Sequence, residues 1–541
     1  MAIIKAADGT ADPVLTNLVA QDKVRFWMKP NLRRMYIFLF LCCMGVEMTS
    51  GFDSQLINTM LFTEPYLLYF GNGWRNKDGK LGIEPNLLGI MNASYNLGSI
   101  LGVPLAPWFS HKFGRRWSIM AGSIIMIVGA VIQAFAQHAA MYIIARIILG
   151  IGIVFAIIAG AAMIGELAYP KERAMLTSLF NASWFIGAIV ASAVAIETVN
   201  IKGDWAWRLP SLLQICPSLL QICTVFFLPE SPRYLISQDR DDEAFEILTK
   251  YHAEGDASSP IVQAEMAQIR TTIKLEMENS KQTWADVLKT AGMRRRFFIT
   301  IFIGLFTQMS GNTLLSYYSS LLYDLMGYTE TSLKTRLNMA DKCWGLINAV
   351  ALALIVVRFP RRRMYMLSAA SMLCVFVAMT VCFYYLRQAT NDGVRNYPAG
   401  AAALFFMYAY GPCYNMGNNA LTYTYLVELW PYAQRSRGIG VQQIFGKAGG
   451  FFSTYVNPIA INALDWRYFA IYCGWIGFEF IFIYLMYPET YGRTLEELTF
   501  LFEGKEYTDQ ANAAVQKQLE SDVTALPREK GSLDHDALIL A

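Results

Sequence analysis

Apolar residues along this chain collect into long blocks, among them Met35 to Met44, Trp117 to Ala136 and Phe469 to Tyr487. A helix that crosses the hydrocarbon core of a bilayer needs ~20 mostly apolar residues. Merging neighbouring blocks gives about twelve such stretches, at 35–58, 86–109, 117–137, 141–164, 174–196 and 209–228, then 297–323, 343–357, 364–386, 399–427, 439–462 and 468–487. Lipid offers no partner to a backbone N–H or C=O, so each stretch is predicted to be helical. The predicted fold class is all-α, a polytopic membrane protein of twelve transmembrane helices. Residues 230–293 interrupt the pattern with charged runs such as Arg240-Asp241-Asp242-Glu243 and Glu276-Met277-Glu278. Within them Phe245, Leu248, Met266, Ile269 and Ile273 keep helical spacing, which predicts short amphipathic helices outside the membrane.

The second set of six spans repeats the first. Gly114-Arg115-Arg116 is echoed by Pro360-Arg361-Arg362, Glu166 with Arg173 by Glu428 with Arg435, and Pro229-Glu230-Ser231 by Pro488-Glu489-Thr490, at offsets of 246, 262 and 259 residues. Three echoes in one order predict two parallel six-helix halves, a transporter plan with its substrate site between them. The chain divides accordingly into an N-terminal segment (1–34), a first half (35–229), a linker (230–293), a second half (294–487) and a tail (488–541). The tail after Glu497 is polar and reads as disordered. Short segments on the N-terminal side of the spans carry 16 Lys and Arg in 50 residues, against 11 in 78 on the opposite side. The denser side is expected to be cytoplasmic, with both termini there. The first thirty residues lack the apolar run and cleavage site of a removable signal peptide, so the first span is expected to direct insertion.

Composition narrows the function classes. Of 541 residues 55% are hydrophobic and 16% charged, where soluble chains carry about a quarter charged residues. The net charge of +3 and the absence of a basic and aromatic strip exclude nucleic acid as a partner. Nine scattered cysteines form neither a disulfide framework nor a thiolate metal site, and four distant histidines form no metal cluster. With no nucleophile and base pair and no phosphate loop, an enzyme is not expected, and no cofactor is implied.

Several motifs resemble the sugar porter branch of the major facilitator superfamily, over about residues 36–500. They are Gly51-Phe52-Asp53, Phe113-Gly114-Arg115-Arg116, Ala145-Arg146 before Gly150 and Gly152, Pro229-Glu230-Ser231-Pro232-Arg233, Gln308 with Gly311 and Tyr317-Tyr318, and Pro488-Glu489-Thr490-Tyr491-Gly492-Arg493. Asn418 to Tyr423 and Gly449 to Phe452 are similar to fungal members grouped with lactose permeases and cellodextrin carriers. The departures are His111 for an acid, Pro360 for a glycine, Thr307 for the first of two glutamines, and Asn312 displaced by one residue so that Thr313 takes its place. Asn181 stands for the fifth-span sugar-binding glutamine, and Gly446 and Lys447 for an eleventh-span glutamine and tryptophan. The resemblance implies the major facilitator fold and transport of a mono- or disaccharide across the plasma membrane by alternating access. It also implies that Arg146 partners Asp53, and that Gln308 contacts the sugar with Asn312, Thr313 and Asn181 in the same cavity. Finally it implies a cytoplasmic salt-bridge network that holds the outward-facing state and breaks on inward opening. Its members are Arg115, Arg116, Glu166, Arg173, Glu230 and Arg233 in the first half, and Arg361, Arg362, Glu428, Arg437 and Glu489 in the second.

The residues themselves are consistent with proton symport. Asp53 is an ionisable group in an apolar span, a costly placement that marks ion pathways. A proton would neutralise it and release Arg146; a static pair orienting two helices is the other reading. Glu47, a second intramembrane acid, is a candidate to share the proton. Neutral amides both donate to and accept from sugar hydroxyls without the desolvation cost of a charge, which marks Gln308, Asn312, Asn181 and Asn419, with Tyr423 and Trp184 as rings for the apolar sugar face. Such amides also tie helix to helix. Lys447 either snorkels to the interface or faces the cavity. The expected partners are a small sugar, protons and the lipid bilayer. Facilitated uniport and a nutrient receptor on the same fold are the alternatives, although receptors of the family tend to carry longer tails than 488–541.

Overall fold

The computed structural model describes residues 24–491 apart from 25, 76–78, 281–284, 286–287, 357–358 and 431–433. The apolar blocks are helices. The first half holds α1 (Pro30–Met60), α2 (Pro85–Gly102, continued by Leu105–Phe113), α3 (Arg115–Ala134) and α4 (Ala139–Leu167). It closes with α5 (Arg173–Ala182 and Trp184–Thr198) and α6 (Trp205–Leu213 and Ile215–Val225). The second half begins with α7 (Ala291–Met309, then Asn312–Tyr317 and Ser319–Leu325), α8 (Thr331–Val356) and α9 (Arg361–Asn391). It ends with α10 (Tyr397–Tyr414, a π turn at Asn415–Asn419, then Thr422–Leu429), α11 (Arg435–Leu464) and α12 (Arg467–Met486). Proline opens α1 and α2 at a position where its missing N–H costs nothing. The Asn396 side chain caps α10 by accepting from Ala399 N at 3.1 Å.

Among the described residues, seven helical stretches, in α1, α3, α4, α5, α7, α9 and α12, are long and apolar enough to cross a membrane. Of the other five passages, α2, α6 and α10 are interrupted and α8 carries charges in its early turns. The clearest difference from the sequence reading is α8, expected to start at 343 but helical from Thr331. Its early turns carry charges that the hydropathy pattern assigned to a loop. Lys334 pairs with Asp324 at 2.6 Å and Lys342 with Asp341 at 2.8 Å, both lysines nearly buried, so the charges turn toward protein rather than lipid.

Each half has its own core. Leu149, Ile153 and Met163 of α4 pack on Leu39 and Val46 of α1 and Met126 of α3. Phe376 and Met379 of α9 pack on Tyr410 of α10 and on Phe469 and Tyr472 of α12. Large apolar residues such as Leu101, Ile144, Val190, Phe405, Ile481 and Leu485 face outward, as a lipid-facing belt requires. Small residues set the closest approach: a Cβ at Gly51 would lie 1.9 Å from Trp184 O, and one at Gly187 1.8 Å from Met48 O. Here α1 and α5 touch backbone to backbone, the usual association of membrane helices.

The linker folds into helices at Pro232–Ser237, Asp241–His252 and Pro260–Ser280. They dock under the first half. Glu254 accepts from the N–H groups of Asn31 and Leu32 at 3.1 Å, placing an acid at the start of α1. His252 reaches Leu167 O at 3.2 Å and the Glu265 carboxylate at 2.7 Å. Burial acts to raise Glu265, but His252, Arg173 and Arg233 outweigh it and hold the carboxyl below its usual range. The expected N-terminal segment and tail lie largely outside the described residues.

Candidate functional site

The two halves meet around a cavity of about 210 Å³, below the roughly 300–1,000 Å³ of drug-sized ligand pockets. Breaks in the helices build it. Gly311 holds φ +101°, in the left-handed region, and a Cβ there would meet Phe376 Cζ at 2.3 Å; α7 therefore stops at Met309 and restarts at Asn312. Tyr410 and Tyr414 of α10 donate to the carbonyls of Ser310 (2.9 Å) and Thr307 (2.6 Å), which the break leaves free. The π turn of α10 brings Asn415 and Asn419 to the wall, with Asn419 Nδ2 donating to Asn415 Oδ1 at 2.9 Å and Asn415 bonded to Asn348. From α5 come Asn181, Trp184 and Phe185, from α1 Glu47, and from α8 Asp341, Lys342 and Trp344.

Of the residues singled out for the sugar, Asn181, Asn312, Asn419 and Trp184 line the cavity, and Glu47, singled out for the proton, lines it too. Gln308, Thr313 and Tyr423 do not. Gln308 was expected on one helical face with Asn312, four residues on; the break at Ser310 and Gly311 removes that shared face. Thr313 is buried against α11, its hydroxyl on Ser453 and on Gln308 O at 3.1 Å. Tyr423 is 37% exposed and its hydroxyl accepts from Gln443 at 2.7 Å.

Beside the cavity, in the core of the first half, Asp53 and Arg146 form a buried pair, 2% and 0% exposed. Arg146 Nη1 donates to Asp53 Oδ1 at 2.6 Å, and Gln214 of α6 donates to the same oxygen at 2.6 Å. Asp53 Oδ2 and Arg146 Nε and Nη2 are buried without a hydrogen-bond partner. The guanidinium lies 4.7 Å from the centre of the Tyr95 ring, a cation–π contact. Next to Asp53, Ser54 Oγ accepts from Tyr317 of α7 at 3.3 Å. Gln214, Tyr95, Asp341 and Lys342 were not singled out from the sequence. Gln214 was visible as an amide within the predicted span 209–228; Asp341 and Lys342 were hidden by their assignment to a loop.

At the N-terminal face, charged motifs tie helix ends within each half. Arg115 makes a two-pronged contact with Glu166 at 3.0 and 3.1 Å, and Glu230 accepts from the backbone N–H of Arg115 and Arg116. Burial pushes the Glu230 carboxyl up, against backbone N–H bonds that pull it down. In the repeat, Arg361 pairs with Glu428 at 3.2 Å and its N–H donates to Glu489 at 2.9 Å. Other expected members make further contacts. Arg116 and Arg362 donate to Phe226 O and Tyr484 O, and Arg173 reaches Glu265 of the linker at 3.4 Å. Arg233 and Arg437 are half-buried.

Hydrogen bonds between the halves gather toward the opposite face. Asn58 donates to Ser319 at 2.6 Å and to Asn338 at 3.1 Å, Asn338 donates to Ser192 at 3.2 Å, Asn92 donates to Tyr318 at 3.0 Å, and Lys80 pairs with Asp324 at 3.3 Å. The far face is thus clasped while the arginine pairs at the near face are formed. Each arginine pair named above joins helices of one half.

A family model described as "Sugar (and other) transporter" matches residues 38–502. The high-affinity glucose transporter 1 of Candida albicans is 28% identical over 492 residues, covering 87% of each chain. A high-affinity glucose transporter of Kluyveromyces lactis is 25% identical, covering 87% of this chain and 85% of the relative. Among solved structures, the inward-open xylose transporter XylE of E. coli superposes with a TM-score of 0.71 at 21% identity, over 86% of this chain and all of that one. The proton:xylose symporter XylE bound to 6-bromo-6-deoxy-D-glucose gives a TM-score of 0.70 at 20% identity, over 87% of this chain and all of that one. With the fold, the central cavity and a model match over most of its length, this chain belongs to the sugar porter family of the major facilitator superfamily, a family of multi-pass membrane transporters and not of enzymes.

Proposed function

We propose that this protein carries a mono- or disaccharide across the plasma membrane by alternating access, as a proton symporter with both termini in the cytoplasm. The sugar class rests on the cavity wall: Asn181, Asn312, Asn415 and Asn419 offer neutral amides, and Trp184, Tyr410 and Tyr414 offer rings. Amides match a ring of hydroxyls that both donate and accept. Relatives named as glucose transporters fit the same class. The orientation rests on the excess of Lys and Arg in segments on the N-terminal side. In that orientation the clasped far face is extracellular and the conformation is inward-facing.

The observation that carries proton coupling is the half-satisfied Asp53. One carboxylate oxygen takes both Arg146 and Gln214 while Oδ2 has no partner. An unmatched oxygen on a buried acid is a ready proton acceptor, and a buried charge that loses its countercharge is costly. Protonation at Oδ2 neutralises Asp53, weakens its hold on Arg146, and alters the α1–α4 tie next to the Ser54 contact with Tyr317 of α7. A proton bound in one state and not the other shifts the conformational equilibrium by its differential affinity. Glu47, on the cavity wall, is the second acid on the route. Asp53→Asn keeps the shape but cannot carry the proton. It is expected to abolish uphill accumulation while sugar counterflow persists. An Asp53→Asn carrier that still concentrates sugar to the wild-type ratio, and still responds to protonophore, would remove Asp53 from the coupling step.

A further inference from the structure

We propose that Glu479 of α12 is held as a neutral carboxylic acid that fastens the break in α7 to the π turn of α10, fixing the asparagine wall of the cavity. Its side chain is 0% exposed. Oε1 accepts from Asn418 Nδ2 at 3.1 Å, inside the π turn, and Oε2 meets the Ser310 hydroxyl at the α7 break. The titratable groups around it are the phenols of Tyr365 on α9, Tyr410 and Tyr414 on α10, and Tyr487 after α12. Among the described residues, no cation is paired with it.

Proton bookkeeping decides its state. Ser310 has one hydroxyl proton and two acceptors within reach, Phe306 O at 2.7 Å and Glu479. An ionised Glu479 must take that proton and still stand as a full charge in an apolar core without a countercharge, a costly placement. A neutral Glu479 donates its own proton to Ser310 Oγ, Ser310 donates to Phe306 O, and Oε1 accepts from Asn418. Each donor then has an acceptor. The repeat supports this independently. Gln221 of α6 precedes Glu479 by 258 residues, one short of the 259 that separate Pro229 from Pro488. Gln221 is a neutral amide that donates to Thr49 and accepts from Ser123, each at 2.7 Å. Glu479 as an acid supplies the same one donor and one acceptor.

The consequence lies at the cavity. Ser310 precedes Gly311 and Asn312, and Asn418 lies between Asn415 and Asn419, so the carboxyl joins the two segments that carry three of the wall amides. This positioning role rests on the transport reading above; the protonation state does not. Two measurements on the purified full-length carrier test the two parts. Infrared difference spectra of wild type against Glu479→Gln at neutral pH are expected to show loss of a carboxylic-acid C=O band; loss of a carboxylate band instead would overturn the neutral assignment. Labelling of Asn312→Cys by a thiosulfonate reagent is expected to stay within about twofold on adding Glu479→Gln, since the amide repeats both hydrogen bonds. Adding Glu479→Leu leaves Asn418 Nδ2 without its acceptor and Ser310 with only its bond to Phe306 O, and is expected to change that rate by about tenfold. A Gln variant that disturbs labelling as much as Leu would overturn the positioning role; should the Leu variant fail to fold, the infrared result and the Gln labelling still decide.

Discussion

Asp53 and Arg146 are 93 positions apart in sequence and 2.6 Å apart in space, and what made them legible was charge in an apolar span. The same signal marks Glu47, and it is also present at Glu479 between Phe478 and Phe480. Individual amides were harder to read, because an asparagine on a cavity wall and one tying two helices look alike in sequence. Asn58 and Asn92 belong to the second kind and Asn181, Asn312 and Asn419 to the first. Gln308 shows how one backbone angle decides such a reading: on a regular helix it would share a face with Asn312, four residues on, and Gly311 breaks the helix between them. Replacing Asn312 by Ala should therefore weaken sugar binding by several-fold to about a hundred-fold, as one or two hydrogen bonds of about 0.5–1.5 kcal/mol are lost. Gln308→Ala should leave binding to the purified carrier within about twofold. The reverse ranking in a direct binding measurement would place the sugar along the first part of α7 instead.

At the scale of elements, the apolar blocks announced the twelve passages because lipid demands continuous apolar surface and internal backbone hydrogen bonding. Hydropathy averages over a turn and cannot register a single glycine or a π turn, so the breaks that shape the cavity in α7 and α10 went unseen. The early turns of α8 failed for a related reason: Lys334 and Lys342 read as loop until Asp324 and Asp341 are seen beside them. The linker helices were foreshadowed by Phe245, Leu248, Met266, Ile269 and Ile273, of which the last four are buried in one small cluster with Phe245 packed against it. Their docking should depend on pH through Glu265. Its folded value lies below the usual carboxylate range, so its ionic contribution is present at neutral pH and is lost as pH falls through that folded value. Amide exchange over Asp241–His252 should stay protected near neutrality and rise in acid. Glu265→Gln should raise it already at neutral pH; unchanged protection in that variant would show that apolar packing alone docks the linker.

For the whole molecule, the parallel repeat carries most of the account. It placed the substrate site between the halves before any distance was known, and the cavity lies there. The conformational state was not legible, since one sequence serves both ends of the cycle. It follows from where the cross-half hydrogen bonds gather, at Asn58, Asn92, Ser319 and Asn338 on the far face, while the arginine pairs of the near face stay within each half. Those pairs brace each half as a body that rocks about the central cavity, and in the proposed cycle a proton on Asp53 supplies the bias between the two states. The most direct test is a pH electrode in a lightly buffered suspension of energised, transporter-deficient yeast expressing this chain, challenged in turn with a hexose, a pentose and a disaccharide. A sugar that the cells take up should alkalinise the medium transiently on addition, and the signal should vanish with Asp53→Asn. Uptake of that sugar by the wild type with no accompanying proton movement would contradict symport and make the protein a uniporter.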